Sequence, residues 1–563
     1  MKNITYISII TCLMLMLGAC DDALEKLPLD APSDETFFSN QAELQLAING
    51  VYRSLYWRNG NVPYPMVMEN ATDLGYLRSD FAGMQTYSRG AHSSATSGFS
   101  ETWQEMYSGI SRANNLLNNM DRAQSEVSEE FYQQVQAEAK FLRAYFYFWL
   151  IQLYGDVPYI TELQSLENAD VPRTPKAEIV NKLFADLDEA ASILPDSWGG
   201  SDEGRATKGG ALALKARIAL MNEQYEVAAQ SAQAVMDLGV YSLYPDYAEL
   251  FTYAGQRSAE VILDMPFLVG FVNSSVPLEQ GPRNTSGYSR LVPSQFIIDS
   301  YECIDGLPID ESPLYDPTAP FENRDPRLDA SIIRPQTLFA TYVYETHPDS
   351  VETWQIIDGN AKRVANQDVL NPFASFTGYL WRKYTSEADL PANRTNSELN
   401  FILMRYAEVL LTYAEAKIEL GQIDGSVLDA INAIRARGYG VDPSATTEYP
   451  AITTANQEEL RTLIRRERKI ELADEGFRML DIHRWRIAEH VMPGTLVGRP
   501  KGAYVDLSVI PEIDEYGHPH YGGAEDQFRS VDQRVFEAGK DYLWPIPQKD
   551  IDVNDQLEQN PAY

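Results

Sequence analysis

The stretch KFLRAYFYFWLIQLYGDVPYI, residues 140–160, limits the fold more than any other part of the chain. Between Phe141 and Tyr154 only Arg143 and Gln152 are neither apolar nor aromatic. A membrane-spanning helix needs about 20 apolar residues at about 1.5 Å of rise each. This run has 14, and Gly155-Asp156-Val157-Pro158 then stops it. A helix that is apolar on every side has to be buried. Aromatic residues also favour strands. The upstream run over 133–140 carries no helix breaker, however, so the pattern predicts one long helix over 128–154. The chain therefore needs a substantial helical interior to cover it.

Other segments supply that interior. Residues 39–57 place Leu44, Ala47, Ile48, Val51, Tyr52 and Leu55 on one helical face, and Arg58-Asn59-Gly60 ends it. Residues 101–120 and 176–194 have the same periodicity. Residues 206–239 read as two helices joined by Asn222-Glu223-Gln224, with small residues alternating with large ones. That is the period and composition of a tetratricopeptide repeat. A second copy lies at 407–438, where Ala416-Lys417-Ile418-Glu419-Leu420 matches Ala216-Arg217-Ile218-Ala219-Leu220. Residues 130–194 and 457–488 are candidates for a third and a fourth. Such repeats bury a continuous core only by stacking, and the aromatic helix fits at the centre of the stack. A repeat scaffold of this kind also implies a protein partner.

The expected architecture is mainly α: about four tetratricopeptide-like helix pairs forming a scaffold, with a large loop-rich insertion carrying short strands. Residues 36–563 are read as one domain with an N-terminal part over 36–254, the insertion over 255–400, and a C-terminal part over 401–563. The insertion is rich in Pro, Gly and Asn, and its strand-like runs include Glu260-Val261-Ile262-Leu263-Asp264 and Thr341-Tyr342-Val343-Tyr344. Residues 59–100 form another long loop. Long irregular segments on a rigid scaffold are where recognition resides.

The 563 residues carry a formal charge of −35, with 44% apolar and 11% aromatic residues. The chain is globular in composition. Its acidity argues against a nucleic-acid partner, since no basic stripe stands out. It argues against polyanionic polymers too, unless a local basic patch overrules it, so a neutral ligand is the expectation. The 33 tyrosines suit surfaces that grip polar rings. The three cysteines are Cys12, Cys20 and Cys303. With two at the N-terminus, the body has no disulfide framework and no cysteine-based zinc site.

The N-terminus reads as an address. Met1-Lys2-Asn3 is followed by an apolar run over 4–17 and then Leu17-Gly18-Ala19-Cys20. The ending resembles a bacterial lipoprotein signal. It implies a cleaved signal peptide over 1–19, a lipid on Cys20 and a tether over 20–35. Lipid chains anchor by burying methylenes, at about 0.8 kcal/mol each. The acidic Asp21-Asp22 start resembles the surface-export signal of Bacteroidetes lipoproteins.

No catalytic motif emerges. The chain has no Gly-x-Ser-x-Gly, His-Glu-x-x-His, P-loop or dinucleotide fingerprint. His518-Pro519-His520 could put two imidazoles on one face of an extended segment but lacks a third ligand. Asp202-Glu203-Gly204 has calcium-like donors without the twelve-residue loop pattern. Neither a metal site nor a cofactor is expected. A carboxylate pair of the kind glycoside hydrolases use stays open in so acidic a chain.

Several motifs, in order, carry a family resemblance. They are Phe141-Leu142-Arg143-Ala144-Tyr145-Phe146-Tyr147-Phe148 with Leu153-Tyr154-Gly155-Asp156-Val157-Pro158, then Ala206-Thr207-Lys208, Pro293-Ser294-Gln295-Phe296 before Asp305-Gly306, and Arg324-Asp325-Pro326-Arg327-Leu328. Arg405-Tyr406-Ala407-Glu408-Val409-Leu410-Leu411 and Glu467-Arg468-Lys469-Ile470-Glu471-Leu472 follow, the latter running on through Glu475-Gly476-Phe477-Arg478 to Asp481 and Arg484-Trp485. The chain closes on Trp544-Pro545-Ile546-Pro547-Gln548 and Asn560-Pro561-Ala562-Tyr563. This set resembles the SusD/RagB family. The resemblance implies a non-catalytic lipoprotein on the outer-membrane surface, anchored by its lipid. It implies binding of glycans, or sometimes other nutrients, and a role as a hinged lid on a SusC-like TonB-dependent transporter.

Ligand-binding candidates are placed by position. In the first loop they are Asp73, Tyr76 and Arg78, with Trp57 as a stacking platform or a core anchor at the end of its helix. In the insertion they are Tyr288 and Arg290 in a Gly/Ser loop, with Trp354, Trp381 and the adjacent Arg382. An aromatic ring stacks on the apolar face of a pyranose, while carboxylates and guanidiniums bond adjacent hydroxyls. The rival readings are a glycoside hydrolase on a helical scaffold, an assembly subunit without a small ligand, and capture of a peptide or other non-glycan nutrient.

Overall fold

The computed structural model describes residues 37–164 and 170–563. The signal peptide over 1–19, the lipidated Cys20 and the tether over 20–35 lie outside the described residues. The longer helices are α1 (Gln41–Tyr52), α2 (Ser97–Asn119), α3 (Glu129–Tyr154), α4 (Lys176–Ile193), α5 (Lys208–Met221), α6 (Tyr225–Asp237), α7 (Tyr406–Glu419), α8 (Gly425–Gly438), α9 (Gln457–Glu471) and α10 (Arg478–Arg484).

Helix α3 is the aromatic run. Ser128 caps it by accepting from the Phe131 N–H at 3.2 Å, and Glu129 and Glu130 face the positive end of its dipole. Gly155 ends it at φ +77, a backbone angle that suits glycine. From Phe141 to Tyr154 every residue but Gln152 is buried. The two polar exceptions have partners. Arg143 donates to Asn114 Oδ1 at 3.0 Å and Asp186 Oδ2 at 2.7 Å, and Gln152 Oε1 accepts from Lys176 Nζ at 3.1 Å. Helix α3 packs against α1, α2, α4 and α5. The α2 contact is close because position 109 is glycine: a Cβ there would meet the Phe146 ring at 2.6 Å.

Successive helices pair as antiparallel tetratricopeptide-like hairpins, α3 on α4, α5 on α6 and α7 on α8. Helix α6 lies along α7, so the stack continues across the intervening insertion. The insertion leaves and rejoins the stack through an antiparallel pair, β2 (Val261–Met265) with β6 (Phe401–Arg405). Three further pairs frame the loop side. They are β1 (Gly75–Leu77) with β3 (Leu291–Pro293), the hairpin β4 (Glu352–Ile357) with β5 (Asn360–Ala365), and β7 (Gly494–Pro500) with β8 (Phe528–Arg534). The expected strand runs near 260–264 and 341–344 appear as β2 and the short strand Tyr342–Val343.

The motifs of the C-terminal half meet in a buried ion network. Arg405 donates to Glu260 at 2.9 Å, Glu471 at 2.7 Å and Glu475 at 2.6 Å. Arg327 pairs with Asp325, Glu467 and Glu471, and Arg437 with Glu260 and Glu471. The closing motif locks onto α3. Trp544 is fully buried against Tyr154 and Phe99, and Asn560 Nδ2 donates to Tyr154 O at 2.9 Å and Trp544 O at 2.7 Å.

Candidate functional site

Strand alternation sets the site. Tyr76 and Arg78 are two residues apart along β1 and its extension, so they share a face. The β1–β3 ladder runs Gly75↔Pro293, Tyr76↔Val292 and Leu77↔Leu291, and continues as the Arg78 N–H donates to Arg290 O at 2.8 Å. The first loop and the insertion, far apart in sequence, thus form one surface. On it Arg78 Nη2 donates to Tyr288 O at 2.7 Å. The Tyr288 ring, 41% exposed, has the guanidiniums of Arg283 and Arg290 at 5.5 and 5.0 Å from its centre. The Arg78 guanidinium lies 5.2 Å from the ring centre of Phe373, itself 55% exposed. Phe376, also exposed, stacks on Tyr76 at 6.0 Å and 23°. Burial, with the neighbouring guanidiniums of Arg283 and Arg290, pulls the Arg78 pKa down to about 10.

Beside this cluster is a depression of about 290 Å³ lined by Asn59, Asn61, Ser79, Asp80, Phe81, Ser275, Glu279 and Arg290. Its amides, hydroxyl groups and carboxylates are the donors and acceptors that bond to a polyol. Arg290 pairs with Glu279 through both carboxylate oxygens and lies 5.1 Å from the Phe81 ring centre. Exposed rings next to convergent polar groups can hold a ligand that is apolar on one face and hydroxylated at its edge.

Of the residues placed from sequence, the structure brings Tyr76, Arg78, Tyr288 and Arg290 together. Four need correction as ligand contacts. Trp57 is a core anchor, 4% exposed, stacked on Tyr64 at 4.7 Å and edge-on to Trp149 at 4.9 Å. Asp73 is 3% exposed, and Arg478 holds both its oxygens at 2.9 and 2.7 Å. Burial pushes that carboxyl up, but the guanidinium overrides it and holds the pKa below the usual range. Trp381 is fully buried, and its Nε1 donates to Asn70 Oδ1 at 2.9 Å. Tyr76 is 4% exposed, with its ring stacked under the exposed Phe376.

The remaining two lie elsewhere. Trp354 is 43% exposed on β4, with the Arg363 guanidinium 5.1 Å from its ring centre. Arg382 donates to Asp329 O at 3.1 Å and is 3.4 Å from Glu387. The sequence reading missed Arg283, Phe373 and Phe376. The signal was there: Arg283 opens the same loop as Tyr288, and the two phenylalanines sit in an Asn/Pro/Gly segment where an aromatic has few core partners.

His518 is buried edge-on to Phe296, and His520 pairs with Asp514 at 2.8 Å. Among the described residues no group of three His, Cys, Asp or Glu side chains is arranged to hold a metal. A larger cavity of about 670 Å³ lies between the ends of α3, α4 and α10 and the α5–α6 turn, lined by Arg173, Lys176, Glu223 and Arg486. Tyr542 on its wall is buried, so it offers no ring for stacking. Among the described residues no helix is long and apolar enough to cross a membrane.

Comparison with known proteins agrees with the architecture. Residues 253–563 match the model of the SusD family, and residues 24–220 match a model described as starch-binding associating with outer membrane. The chain is 27% identical to SusD-like protein P2 of Formosa agariphila over 98% of both chains. It is 24% identical to a SusD-like protein of Bacteroides ovatus over 98% of this chain and 97% of that one. Among solved structures, a SusD-like carbohydrate binding protein from Bacteroides fragilis superposes with a TM-score of 0.79 at 28% identity, covering 93% of this chain and all of that one. A laminarin binding SusD-like protein shares the fold, with a TM-score of 0.67 at 23% identity over 93% of this chain and all of that one. With its C-terminal half and more matched by the family model, and with the motifs of that half meeting in one buried network, this chain belongs to the SusD family.

Proposed function

We propose that the protein captures a glycan at the face formed by Tyr288, Phe373, Arg78 and the adjoining depression. In this reading it delivers the bound chain to a SusC-like, TonB-dependent transporter in the outer membrane and does not cleave it. The observation that carries the reading is the convergence of exposed rings and a polar depression on the loop side of the helix stack. The carbohydrate-binding description of the B. fragilis protein and the outer-membrane description of the N-terminal model support it.

The test is calorimetry of a soluble form beginning after Cys20 against a panel of oligo- and polysaccharides. Binding without shortening of the glycan is expected, and Tyr288→Ala or Phe373→Ala should weaken it about tenfold, the worth of about one ring contact. Products released during incubation would instead establish a hydrolase. A panel without heat or products would move the ligand outside the glycans.

The surface address rests on Cys20. In the intact bacterium, Cys20→Ala should remove the mass of the acyl chains and release the protein from the membrane fraction. Retention of the variant in that fraction would overturn the lipid anchor.

A further inference from the structure

Three guanidiniums crowd the candidate face. Arg78 and Arg290 are opposite each other across the β1–β3 ladder, where like charges are destabilising. Arg283 joins them over the Tyr288 ring. The partners of each leave donors over. Arg78 donates from Nη2 to Tyr288 O, Arg283 from Nε to Phe373 O at 3.0 Å and from Nη1 to Gly287 O at 3.0 Å, and Arg290 from Nε and Nη2 to Glu279. Among the described residues Arg78 Nη1, Arg283 Nη2 and Arg290 Nη1 have no hydrogen-bond partner. Arg78 Nε is buried and unpartnered as well.

The nearby carboxylates neutralise only part of the cluster. Glu279 compensates Arg290 through both oxygens, whereas among the described residues no carboxylate forms an ion pair with Arg78 or Arg283. Asp368, its pKa raised by burial to about 6 but still ionised at neutral pH, directs its oxygens to the Arg283 backbone N–H at 2.6 Å and the Asn284 side chain at 2.6 Å rather than to a guanidinium. Asp80 accepts the backbone N–H groups of Gln85 and Thr86 at 2.9 and 3.1 Å. A chain of net charge −35 thus keeps two guanidiniums, Arg78 and Arg283, without a carboxylate partner beside exposed aromatic rings. Beyond about 8 Å at physiological ionic strength the remote acidic charges are largely screened, so contacts at the face decide what binds.

We propose, resting on the glycan-capture reading, that the captured glycan is anionic, with its carboxylate or sulfate groups seated on Arg78 and Arg283, the two guanidiniums without a carboxylate partner. The free Nη1 of Arg78 and Nη2 of Arg283 can each donate a charge-assisted hydrogen bond to an oxygen of either group. Bound anions also supply the countercharge that Arg78 and Arg283 lack. This replaces the neutral ligand that bulk charge alone predicts.

The test uses the soluble chain beginning after Cys20 on an array of neutral, uronate-containing and sulfated polymers. The array includes the matched pairs dextran and dextran sulfate, and polygalacturonate and its carboxyl-reduced form. Acidic polymers should be retained over neutral ones, with affinity falling as salt rises. The Arg78→Gln/Arg283→Gln double variant should bind about tenfold or more weakly, and Arg78→Lys/Arg283→Lys should keep part of the binding. The uronate and sulfate arms identify the group. Should the Gln variant melt at lower temperature, the salt dependence of the unaltered chain and the Lys variant carry the test. Salt-insensitive capture of neutral glycans overturns the anionic inference and leaves glycan capture standing, as does acidic binding unaffected by the Arg variants. Silence across the array overturns glycan capture itself.

Discussion

Glu471 is fully buried and takes hydrogen bonds from Arg405, Arg437 and Arg327. Burial alone would raise its pKa; the three guanidiniums overcome this and hold the carboxyl well below its ordinary range. The charges sit where removing one partner leaves the others uncompensated. Losing one member of a buried ion pair typically costs about 3–5 kcal/mol. Arg405 serves three carboxylates, so Arg405→Met should lower the urea midpoint by an amount equivalent to about that loss or prevent folding. Arg405→Lys should recover only part of it, because an ammonium cannot reproduce the fork that grips Glu475 through Nε and Nη2. An unchanged midpoint in the Met variant would sink this account.

The same physics decides what could be read at the level of elements. Helices α3, α5, α6, α7 and α8 were legible because their burial is written in local spacing, and the aromatic run admits few surroundings. The loop face was legible only in part. Trp57 and Trp381 have the composition of stacking platforms, but their exposure depends on partners far along the chain: Trp149 for one and Asn70 for the other. Asp73 is claimed by Arg478, 405 positions away. Tyr288 could be found because its Gly/Ser loop leaves it no core to enter. The β4–β5 hairpin had a local signal in Asp358-Gly359, whose two positive φ angles of 49° and 77° suit a tight hairpin turn. The juxtaposition of Arg78 with Arg283 and Tyr288 was invisible because β1 and β3 create it by pairing distant segments, whereas bulk charge averages over the whole surface.

For the whole molecule, the buried titratable groups set a pH profile with two regimes. Asp73, Asp325, Asp481, Glu415, Glu471 and Glu475 all have pKa values held below the ordinary carboxylate range, because guanidiniums or an ammonium override burial. A depressed carboxyl contributes stability that is full above its unfolded pKa, about 4, and is lost as pH falls below it. Burial also lowers His483 and His518 to about 4, so their contribution is lost between about pH 6.5 and 4. The opposite sign comes from Glu69, raised by burial to about 7, and from Asp299 and Asp368, raised to about 6. Their folded forms bind protons more tightly than the unfolded chain, so stability is gained as pH falls through those values. Burial raises Asp474, Glu138, Asp264 and Glu279 as well, so between neutrality and about pH 5 the histidines and this raised set oppose each other. Below about pH 4 the depressed carboxylates act together with no offset of comparable number. We therefore expect denaturation midpoints to change little from pH 7 to 5 and to collapse between about pH 4 and 3, with loss of the arginine–carboxylate network as the cause. Urea titrations across that range check it. A steep fall already between pH 7 and 5, or a midpoint at pH 3 equal to that at pH 7, would show that the network does not govern the acid limb.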